Sequence, residues 1–289
     1  MFRLAFANAA ETFERVRDPL AARGIDVEAV SATRGSYSLA DPPFDPDDFD
    51  AGFVFPGRVM EGGVLDAWLD VPWLNDRDAV LTSRNKAGVL ATLERAGIPT
   101  PESVLVSNPA ETADLVDAYE AVPDPVVLKP NSTTRGIGVA KARDLDSFLG
   151  VCDYLDLVHD YRATADRSFL VQEYLPDARD YRVMVLDGET VGAVERRLPA
   201  TDVASGRWKH NVHRGAEAVG VDPPARVRAL AERTADALGV RFLGVDVLVS
   251  GERAVVNETN ARPTIDEDEK YDAGFYDRLA DAVRSVTRS

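Results

Sequence analysis

Residues 244–249 read GVDVLV, and residues 254–260 read AVVNETN. Valine and leucine dominate both runs, and such residues favour strands, so the two segments are predicted to pair as a hairpin. Glu258 and Asn260 stand two positions apart in the second run. Because successive side chains on a strand leave opposite faces, these two polar side chains are expected on the same face.

The loop of this hairpin decides where the acidic residue of the first strand lies. A three-residue loop over residues 250–252 places Asp246 opposite Val256, and therefore on the face of Glu258 and Asn260. Two carboxylates and one amide oxygen are hard ligands that suit Mg²⁺ or Mn²⁺, with water and phosphate completing the shell. The alternative is the polar outer face of an edge hairpin. Acidic groups inside apolar strands are costly without a partner, which favours the metal site.

A second stretch, VVLKPNSTTRGIGV at residues 126–139, carries groups suited to phosphate. Lys129 ends an apolar strand, and the turn after it offers hydroxyl groups and backbone N–H groups to an anion. The glycine and lysine order of a P-loop is absent. Gly136 and Gly138 by themselves also fit an ordinary hairpin turn. The prediction of a phosphate site in this stretch therefore depends on the motifs around it.

A third stretch, FLVQEYLP at residues 169–176, is followed by Asp180 and Arg182. Backbone donors and acceptors at the end of such a strand suit the edge of a purine, and a nearby carboxylate suits ribose hydroxyls. An ordinary strand followed by a turn could have the same sequence. The prediction of a nucleoside site therefore depends on the other motifs.

Two clusters of cations follow in a chain that is otherwise acidic. The first contains Arg196, and the second reads RWKHNVHRG at residues 207–215. Arginine side chains bind phosphate and carboxylate oxygens through two parallel hydrogen bonds. His210 and His213 also fit surface or packing histidines, because neither has the spacing of a metal site.

The composition restricts the class of protein. A chain of 289 residues suits two or three compact α/β units, and its net charge of −16 disfavours nucleic acid and anionic membranes as partners. No apolar run approaches the ~18 residues of a membrane span, and the N-terminal residues lack a signal-peptide pattern, so a cytoplasmic protein is expected. Cys152 is the single cysteine and forms no internal disulfide. Of the basic residues five are lysine and the rest arginine, a bias that suggests a halophilic source.

Alternating strand and helix patterns divide the chain into three parts. Residues 1–84 begin with a βαβ-like pattern and form a predicted N-terminal α/β domain. Residues 85–166 form a predicted central subdomain that ends in a small, polar segment. Residues 167–289 form a predicted C-terminal subdomain that contains the metal hairpin.

In combination these motifs resemble the ATP-grasp superfamily, and the nearest branch is the RimK-like glutamate ligases. The resemblance covers the chain from about Asn85 to its end. The motifs, in chain order, are Lys129-Pro130 with Gly136-x-Gly138, Gln172-Glu173-Tyr174-Leu175, Asp180-x-Arg182, Glu195-Arg196, Asn211-x-His213-Arg214-Gly215, Gly244-Val245-Asp246 and Glu258-x-Asn260-x-x-Pro263.

The resemblance implies the ATP-grasp fold, with three α/β subdomains and ATP bound between the central and C-terminal ones. It implies two Mg²⁺ ions, or Mn²⁺, on Asp246, Glu258 and Asn260, with Glu258 bridging. It assigns charge stabilisation in catalysis to Arg182, Arg196 and Arg214. It assigns nucleotide binding to Lys86, Lys129, Thr133, Thr134, Gly136, Gln172, Glu173, Tyr174, Leu175, Asp180, Lys209 and Asn211. Three of the five lysines thus fall on nucleotide positions.

The implied activity is ATP-dependent ligation of a carboxylate to an amine through an acyl phosphate. Glutamate or another amino acid is the expected amine, a peptide-like or cofactor carboxylate is the expected acceptor, and Arg58, Arg214 and Arg262 are expected to recognise carboxylates. Alternatives are a ligase acting on an amino-group carrier protein of lysine or arginine biosynthesis, a glutathione-synthetase-like enzyme, an ATP-binding regulator and a phosphotransferase. A homo-oligomer is expected. The family usually has Gly-Ser where this chain has Thr133-Thr134, which predicts a stiffer phosphate loop.

Overall fold

A computed structural model describes residues 1–7, 10–133, 136–158, 166–210, 212 and 215–288. Its strands are β1 (Phe2–Phe6), β2 (Ile25–Ala29), β3 (Ala51–Phe53), β4 (Ser103–Ser107), β5 (Val126–Pro130), β6 (Ala140–Ala142), β7 (Ser168–Glu173), β8 (Arg179–Leu186), β9 (Glu189–Arg197), β10 (Glu217–Gly220), β11 (Phe242–Ser250) and β12 (Arg253–Asn260). Its helices are α1 (Ala10–Ala21), α2 (Val59–Leu69), α3 (Arg77–Arg84), α4 (Lys86–Arg95), α5 (Thr112–Glu120), α6 (Leu145–Val158), α7 (Ala200–Ala204), α8 (Ala225–Leu238) and α9 (Phe275–Ser285).

The strands form three sheets, each with its own hydrophobic cluster. The N-terminal sheet is parallel, in the order β2-β1-β3, and its cluster includes apolar residues of α1, α2 and α9. The central sheet is antiparallel, in the order β4-β7-β5-β6, and packs against α5 and α6. The C-terminal sheet is antiparallel, in the order β10-β9-β8-β11-β12, and packs against α4 and α8.

Two helices pack on a sheet of a different subdomain from the one to which the predicted boundaries assign them. Val89 and Leu93 of α4 belong to the cluster of the C-terminal sheet, although residues 85–166 were assigned to the central subdomain. Leu279 and Val283 of α9 belong to the cluster of the N-terminal sheet, at the opposite end of the chain. Amphipathic helices pack on whichever sheet covers their apolar stripe. The residue boundaries of the three subdomains therefore stay a prediction.

The hairpin of β11 and β12 differs from its predicted register. Ser250 pairs with Arg253, so the loop contains two residues rather than three, and the predicted pairing of Asp246 with Val256 is wrong. The register shifts between Asp246 and Val247, and Asp246 pairs directly with Glu258. A bulge of this kind inserts one extra residue, here Asn257, and re-aims the side chains around it. Asp246 and Glu258 therefore still share one face.

Candidate active site

The central and C-terminal sheets meet at a contact that we call the inter-sheet junction, formed by Lys129 of β5, Gln172 of β7 and Asn257 of β12. The Nζ of Lys129 donates to Oδ1 of Asn257 over 2.7 Å and also donates to the side-chain oxygen of Gln172. Gln172 in turn donates to Ser103 Oγ over 2.9 Å. The ammonium group is therefore held by two amides, one from each sheet.

The electrostatics of Lys129 are unusual for a lysine. Burial lowers the pKa of its ammonium group to about 8, and Lys86 adds to this lowering while Glu258 opposes it. Neutral amide oxygens compensate a buried positive charge only partly, because burial disfavours the charged form. An anionic ligand at this ammonium would supply the missing countercharge.

Lys86 brings a second ammonium group close to Glu258. It is the first residue of α4, whose N-cap Asn85 accepts a hydrogen bond from the Gly88 N–H over 3.0 Å. Its Nζ lies 3.5 Å from Oε1 of Glu258 and donates to the carbonyls of Asn131 and Thr133. Helix N-termini and ammonium groups both favour anions, so this end of α4 suits phosphate.

Asp246 lies on the C-terminal sheet between two arginines. Its Oδ1 and Oδ2 accept from Arg182 over 2.7 and 2.9 Å, and Oδ2 also lies 2.9 Å from Arg196 Nη2. Burial alone raises the pKa of Asp246, but Arg182 and Arg196 outweigh burial and lower the pKa to about 2. Asp246 is therefore an ionised carboxylate at neutral pH.

Arg196 connects this carboxylate to the residue predicted to hold ribose. Its Nη2 donates to Oδ1 of Asp180 over 2.6 Å, and Asp180 is itself buried, so desolvation raises its pKa despite the opposing charge of Arg196. The Nε of Arg196 is buried and has no acceptor within the described part of the chain. A buried donor without a partner is costly, and a ligand atom would remove that cost.

The proposed metal ligands provide suitable donor atoms. Asp246 and Glu258 are cross-strand partners, and about a third of the Glu258 side chain is exposed. Oδ1 of Asn260 accepts the Arg262 N–H over 2.9 Å. The described residues contain no cluster of three or more His, Cys, Asp or Glu side chains arranged for a metal ion. The donor set is thus two carboxylates and one amide, all hard oxygens, which fits Mg²⁺ or Mn²⁺.

The segment predicted to line an adenine slot follows β7. Glu173 forms an ion pair with Arg253, whose hydrogen bonds hold the pKa of Glu173 below its usual range. Tyr174 lies edge-on to Trp208, at 5.7 Å between ring centroids, and the Nζ of Lys141 stands 4.0 Å from the Tyr174 ring centroid. A cation on an aromatic face is favourable. Leu175 is buried at the end of this segment.

The phosphate-loop residues are described only in part. Thr133 Oγ1 donates to the Ile137 carbonyl over 2.9 Å, and Gly136 has a φ of 65°, a left-handed conformation that favours glycine. Lys209 donates to the carbonyl of Val139. Thr134, Asn211, His213 and Arg214 lie outside the described residues.

Comparison with known proteins identifies the family of the chain. The model of the RimK-like ATP-grasp domain family matches residues 83–275, which is more than half of the chain. The chain belongs to the RimK-like ATP-grasp family. The family and ATP-grasp fold predicted from the sequence are confirmed.

The match to curated relatives in this family spans only part of each relative's length. A protein of Citrobacter koseri named probable alpha-L-glutamate ligase is 33% identical over 199 residues, which are 68% of this chain and 62% of the relative. A protein of Shewanella halifaxensis with the same name is 30% identical over 200 residues, 68% of this chain and 41% of the relative. The chain therefore spans less than two thirds of the length of these relatives.

Solved structures of the RimK-like and wider ATP-grasp groups share the fold. The RimK domain ATP-grasp protein of Sphaerobacter thermophilus has a TM-score of 0.68 and 23% identity, covering 98% of this chain and 99% of that one. The D-alanine–D-alanine ligase of Bacillus anthracis, solved with ATP, has a TM-score of 0.70 and 17% identity, covering 100% and 98%. In the described part of this chain, no helix is long and apolar enough to cross a membrane.

Several residues of the site were not singled out from the sequence. Asn257 and Arg253 connect the two sheets, and Lys141 with Trp208 surrounds Tyr174. The scarcity of lysine was a usable signal for Lys141, because three of the five lysines already fell on positions that the resemblance assigned to the nucleotide. Asn257 carried a weaker signal, as a polar residue that interrupts an apolar strand beside Glu258.

Proposed function

We propose that the protein is an ATP-dependent carboxylate–amine ligase that forms an amide bond through an acyl phosphate, with glutamate as the amine. The observation that carries this proposal is the juxtaposition of Lys86 and Lys129 with Asp246 and Glu258 across the inter-sheet junction. Cations suited to phosphate thus lie beside hard oxygens suited to a divalent ion. Membership of the RimK-like family and the names of the curated relatives support the same chemistry.

ATP is proposed to bind between the central and C-terminal sheets. Lys86, Lys129 and Lys209 would contact its phosphates, together with the loop of Thr133, Thr134 and Gly136 and with Asn211. The segment from Gln172 through Glu173, Tyr174 and Leu175 would border adenine. Asp180 would hold ribose, which requires it to share its contact with Arg196.

Two Mg²⁺ ions, or Mn²⁺, are proposed to bind Asp246, Glu258 and Asn260. When bound, such ions withdraw charge from the β- and γ-phosphates. Asp246 contributes an ionised carboxylate at any physiological pH, because its pKa is held at about 2. Glu258 is the more accessible of the two carboxylates.

In the proposed reaction a substrate carboxylate attacks the γ-phosphorus in line and releases ADP. Arg196, whose Nε is buried without an acceptor in the described part of the chain, and the partly exposed Arg182 are proposed to stabilise the transferred group. The neutral amine then adds to the acyl carbon, and the tetrahedral oxyanion collapses with loss of phosphate, which takes up the proton that the nitrogen loses. One well-placed donor to such an oxyanion contributes about 3 kcal/mol. Arg214 is proposed to assist with substrate charge.

The acceptor is proposed to be a peptide-like or cofactor carboxylate. The protein is also proposed to act in the cytoplasm, as a homo-oligomer and in high salt.

Mass spectrometry of products from ATP, Mg²⁺, L-glutamate and a pool of peptide, carrier-protein and cofactor acceptors tests the proposed substrates. A mass increase equal to one or more glutamyl residues supports the ligase. A phosphorylated product without glutamate would indicate a phosphotransferase, and no ADP with any acceptor would indicate an ATP-binding regulator.

A further inference from the structure

The outer edge of the central sheet is formed by β4, which reads SVLVS at residues 103–107. At its two ends the Glu173 N–H donates to the Glu102 carbonyl over 2.9 Å, and the Asn108 N–H donates to the Arg167 carbonyl over 3.3 Å. In an antiparallel pair only alternate residues bond to the neighbouring strand. The N–H and C=O groups that point away from β7, and that have no partner in the described part of the chain, belong to Ser103, Leu105 and Ser107.

This edge lacks the features that protect exposed strands from pairing with other chains. Such edges usually carry charges, proline or a bulge, or are very short. At the opposite edge of the same sheet, β6 is three residues long and has Lys141 at its centre. β4 is five residues long, contains neither a charge nor a proline, and keeps a continuous register with β7. Its central residue, Leu105, is 52% exposed, so the edge is open to another strand.

The sequence of β4 is the same when read in either direction. Val104 and Val106 flank Leu105, and Ser103 and Ser107 flank the two valines. A two-fold axis through Leu105 therefore places a second copy of β4 antiparallel to the first, with every residue opposite one of its own type. Closed two-fold contacts require this kind of self-complementarity. The outward N–H and C=O groups belong to the residues that such a pairing joins by hydrogen bonds.

The residues that flank β4 are complementary under the same symmetry. Glu102 is exposed, and the two-fold axis sets it opposite Asn108 of the other copy, at a position where facing side chains lie close together. The Nδ2 of Asn108 is buried and has no acceptor among the residues that the structure describes. A donor in this state is costly. By turning toward the edge, the Asn108 amide can reach a carboxylate oxygen of Glu102.

We propose that β4 is the contact between two copies of this chain, which pair antiparallel about Leu105 and join their central sheets into one. The proposal does not depend on the proposed function. A two-fold axis normal to the sheet places both α5 helices on the same side. There, a groove of about 410 Å³ between β4 and α5 is lined in part by Asp114 and Asp117. Association brings these carboxylates of the two copies closer, so it should be stronger in high salt.

Position 105 meets itself on the axis, so charges introduced there test the symmetry of the contact. Leu105→Lys and Leu105→Glu each set like charges opposite each other. Each should raise the dissociation constant of the dimer at least about 100-fold in analytical ultracentrifugation. An equimolar mixture of the two variants should associate again, because lysine then faces glutamate. Leu157→Lys is the matched control, since Leu157 is 82% exposed but lies on α6, and it should match wild type.

A cysteine at the same position tests the register independently of charge. Opposite Cα atoms of a hydrogen-bonded antiparallel pair are about 5.5 Å apart, a distance that a disulfide spans. Leu105→Cys should therefore form a covalent dimer on mild oxidation, and Leu157→Cys should stay monomeric under denaturing, non-reducing conditions. The natural Cys152 is 2% exposed, so it should form no link in either variant.

The ultracentrifugation is carried out on the full chain in 0.1 M and in 2 M KCl. A wild-type dimer that tightens with salt, is weakened by both charged variants and returns in their mixture supports the proposal. A wild-type protein that is monomeric in both salts overturns it, as do a dimer that persists in both charged variants and a Leu105→Cys protein that forms no covalent dimer. A monomer whose β4 edge binds an extended acceptor peptide, with loss of that binding in both charged variants, also overturns the assignment to a second copy.

Discussion

At the scale of single residues, the buried ammonium group of Lys129, proposed to bind phosphate, lowers the stability of the unliganded protein. Its ammonium group has a pKa of about 8 in the folded protein, mainly because of burial, against 10.5 when exposed. Between these pH values the unfolded chain holds a proton that the folded chain lacks. The free energy of unfolding therefore gains a contribution that increases as pH rises through this window.

Lys129→Met should consequently raise the free energy of unfolding of the unliganded protein at pH 7. It should also abolish the increase in that free energy that Lys129 contributes between about pH 8 and pH 10. Urea denaturation at pH 7 and pH 9.5 measures both effects. Lys270→Met is the control, because its ammonium group forms an ion pair with Asp266 over 2.9 Å and should give no gain in stability. A loss of stability at pH 7 in Lys129→Met would contradict the proposed strain at this lysine.

The same substitution should weaken ATP binding. An ammonium group that meets a phosphate in a partly desolvated site is typically worth about 2 to 5 kcal/mol when truncated. Calorimetric titration with a non-hydrolysable ATP analogue measures the change, and a substitution of the exposed Arg77 supplies the reference. An unchanged nucleotide affinity in Lys129→Met would remove the main support for the phosphate site.

The identity of the charged residues was predictable from the sequence, but their partners were not. Asp246, Glu258 and Lys129 stood out because charges inside apolar strands need compensation. The contacts of Lys129 with Asn257, and of Glu173 with Arg253, join residues from different sheets. Such contacts depend on how the sheets dock, which no local pattern encodes.

At the scale of secondary-structure elements, the N-terminus of α4 organises the proposed phosphate side of the site. Oδ1 of Asn85 accepts from the Gly88 N–H over 3.0 Å and from Asn131 Nδ2 over 3.0 Å. Oδ1 of Asn131 accepts the Ala87 N–H over 2.9 Å. One side chain of the loop after β5 thus fixes the helix that carries Lys86.

Asn85→Ala should lower the free energy of unfolding by about 1 kcal/mol, the usual effect of losing an N-cap side chain. Asn85→Asp keeps an acceptor for the helix and should retain most of the stability. Urea midpoints of the two variants give the comparison. Equal midpoints for alanine and wild type would show that the cap does not stabilise α4.

The hairpin of β11 and β12 shows why an element can be predicted while its register is not. The valine-rich composition predicted two strands, but Gly251 fits a loop of either two or three residues. The structure uses the shorter loop and restores the pairing of Asp246 with Glu258 through the bulge at Asn257. The shorter loop and the bulge thus shift the register in opposite directions. As predicted, the two carboxylates therefore lie on the same face of the sheet.

At the scale of the whole molecule, strong negative charge opposes compactness. The net charge is −16, and repulsion among exposed carboxylates is screened over about 10 Å at 0.1 M salt and about 3 Å at 1 M. The unfolding temperature should therefore rise between 0.1 M and 2 M KCl. Maximum stability in low salt would contradict the proposed adaptation to high salt.

The central claim is that Asp246 and Glu258 support ATP-dependent ligation, and ADP formation with and without Glu258 tests it most directly. With saturating Mg²⁺, L-glutamate and the acceptor pool, Glu258→Ala should remain folded and lose at least about 100-fold in rate. Asp246→Asn should be milder, because the amide keeps one oxygen ligand. Glu252→Ala, in the exposed loop of the same hairpin, should match wild type. Near-normal ADP formation by Glu258→Ala would contradict the account.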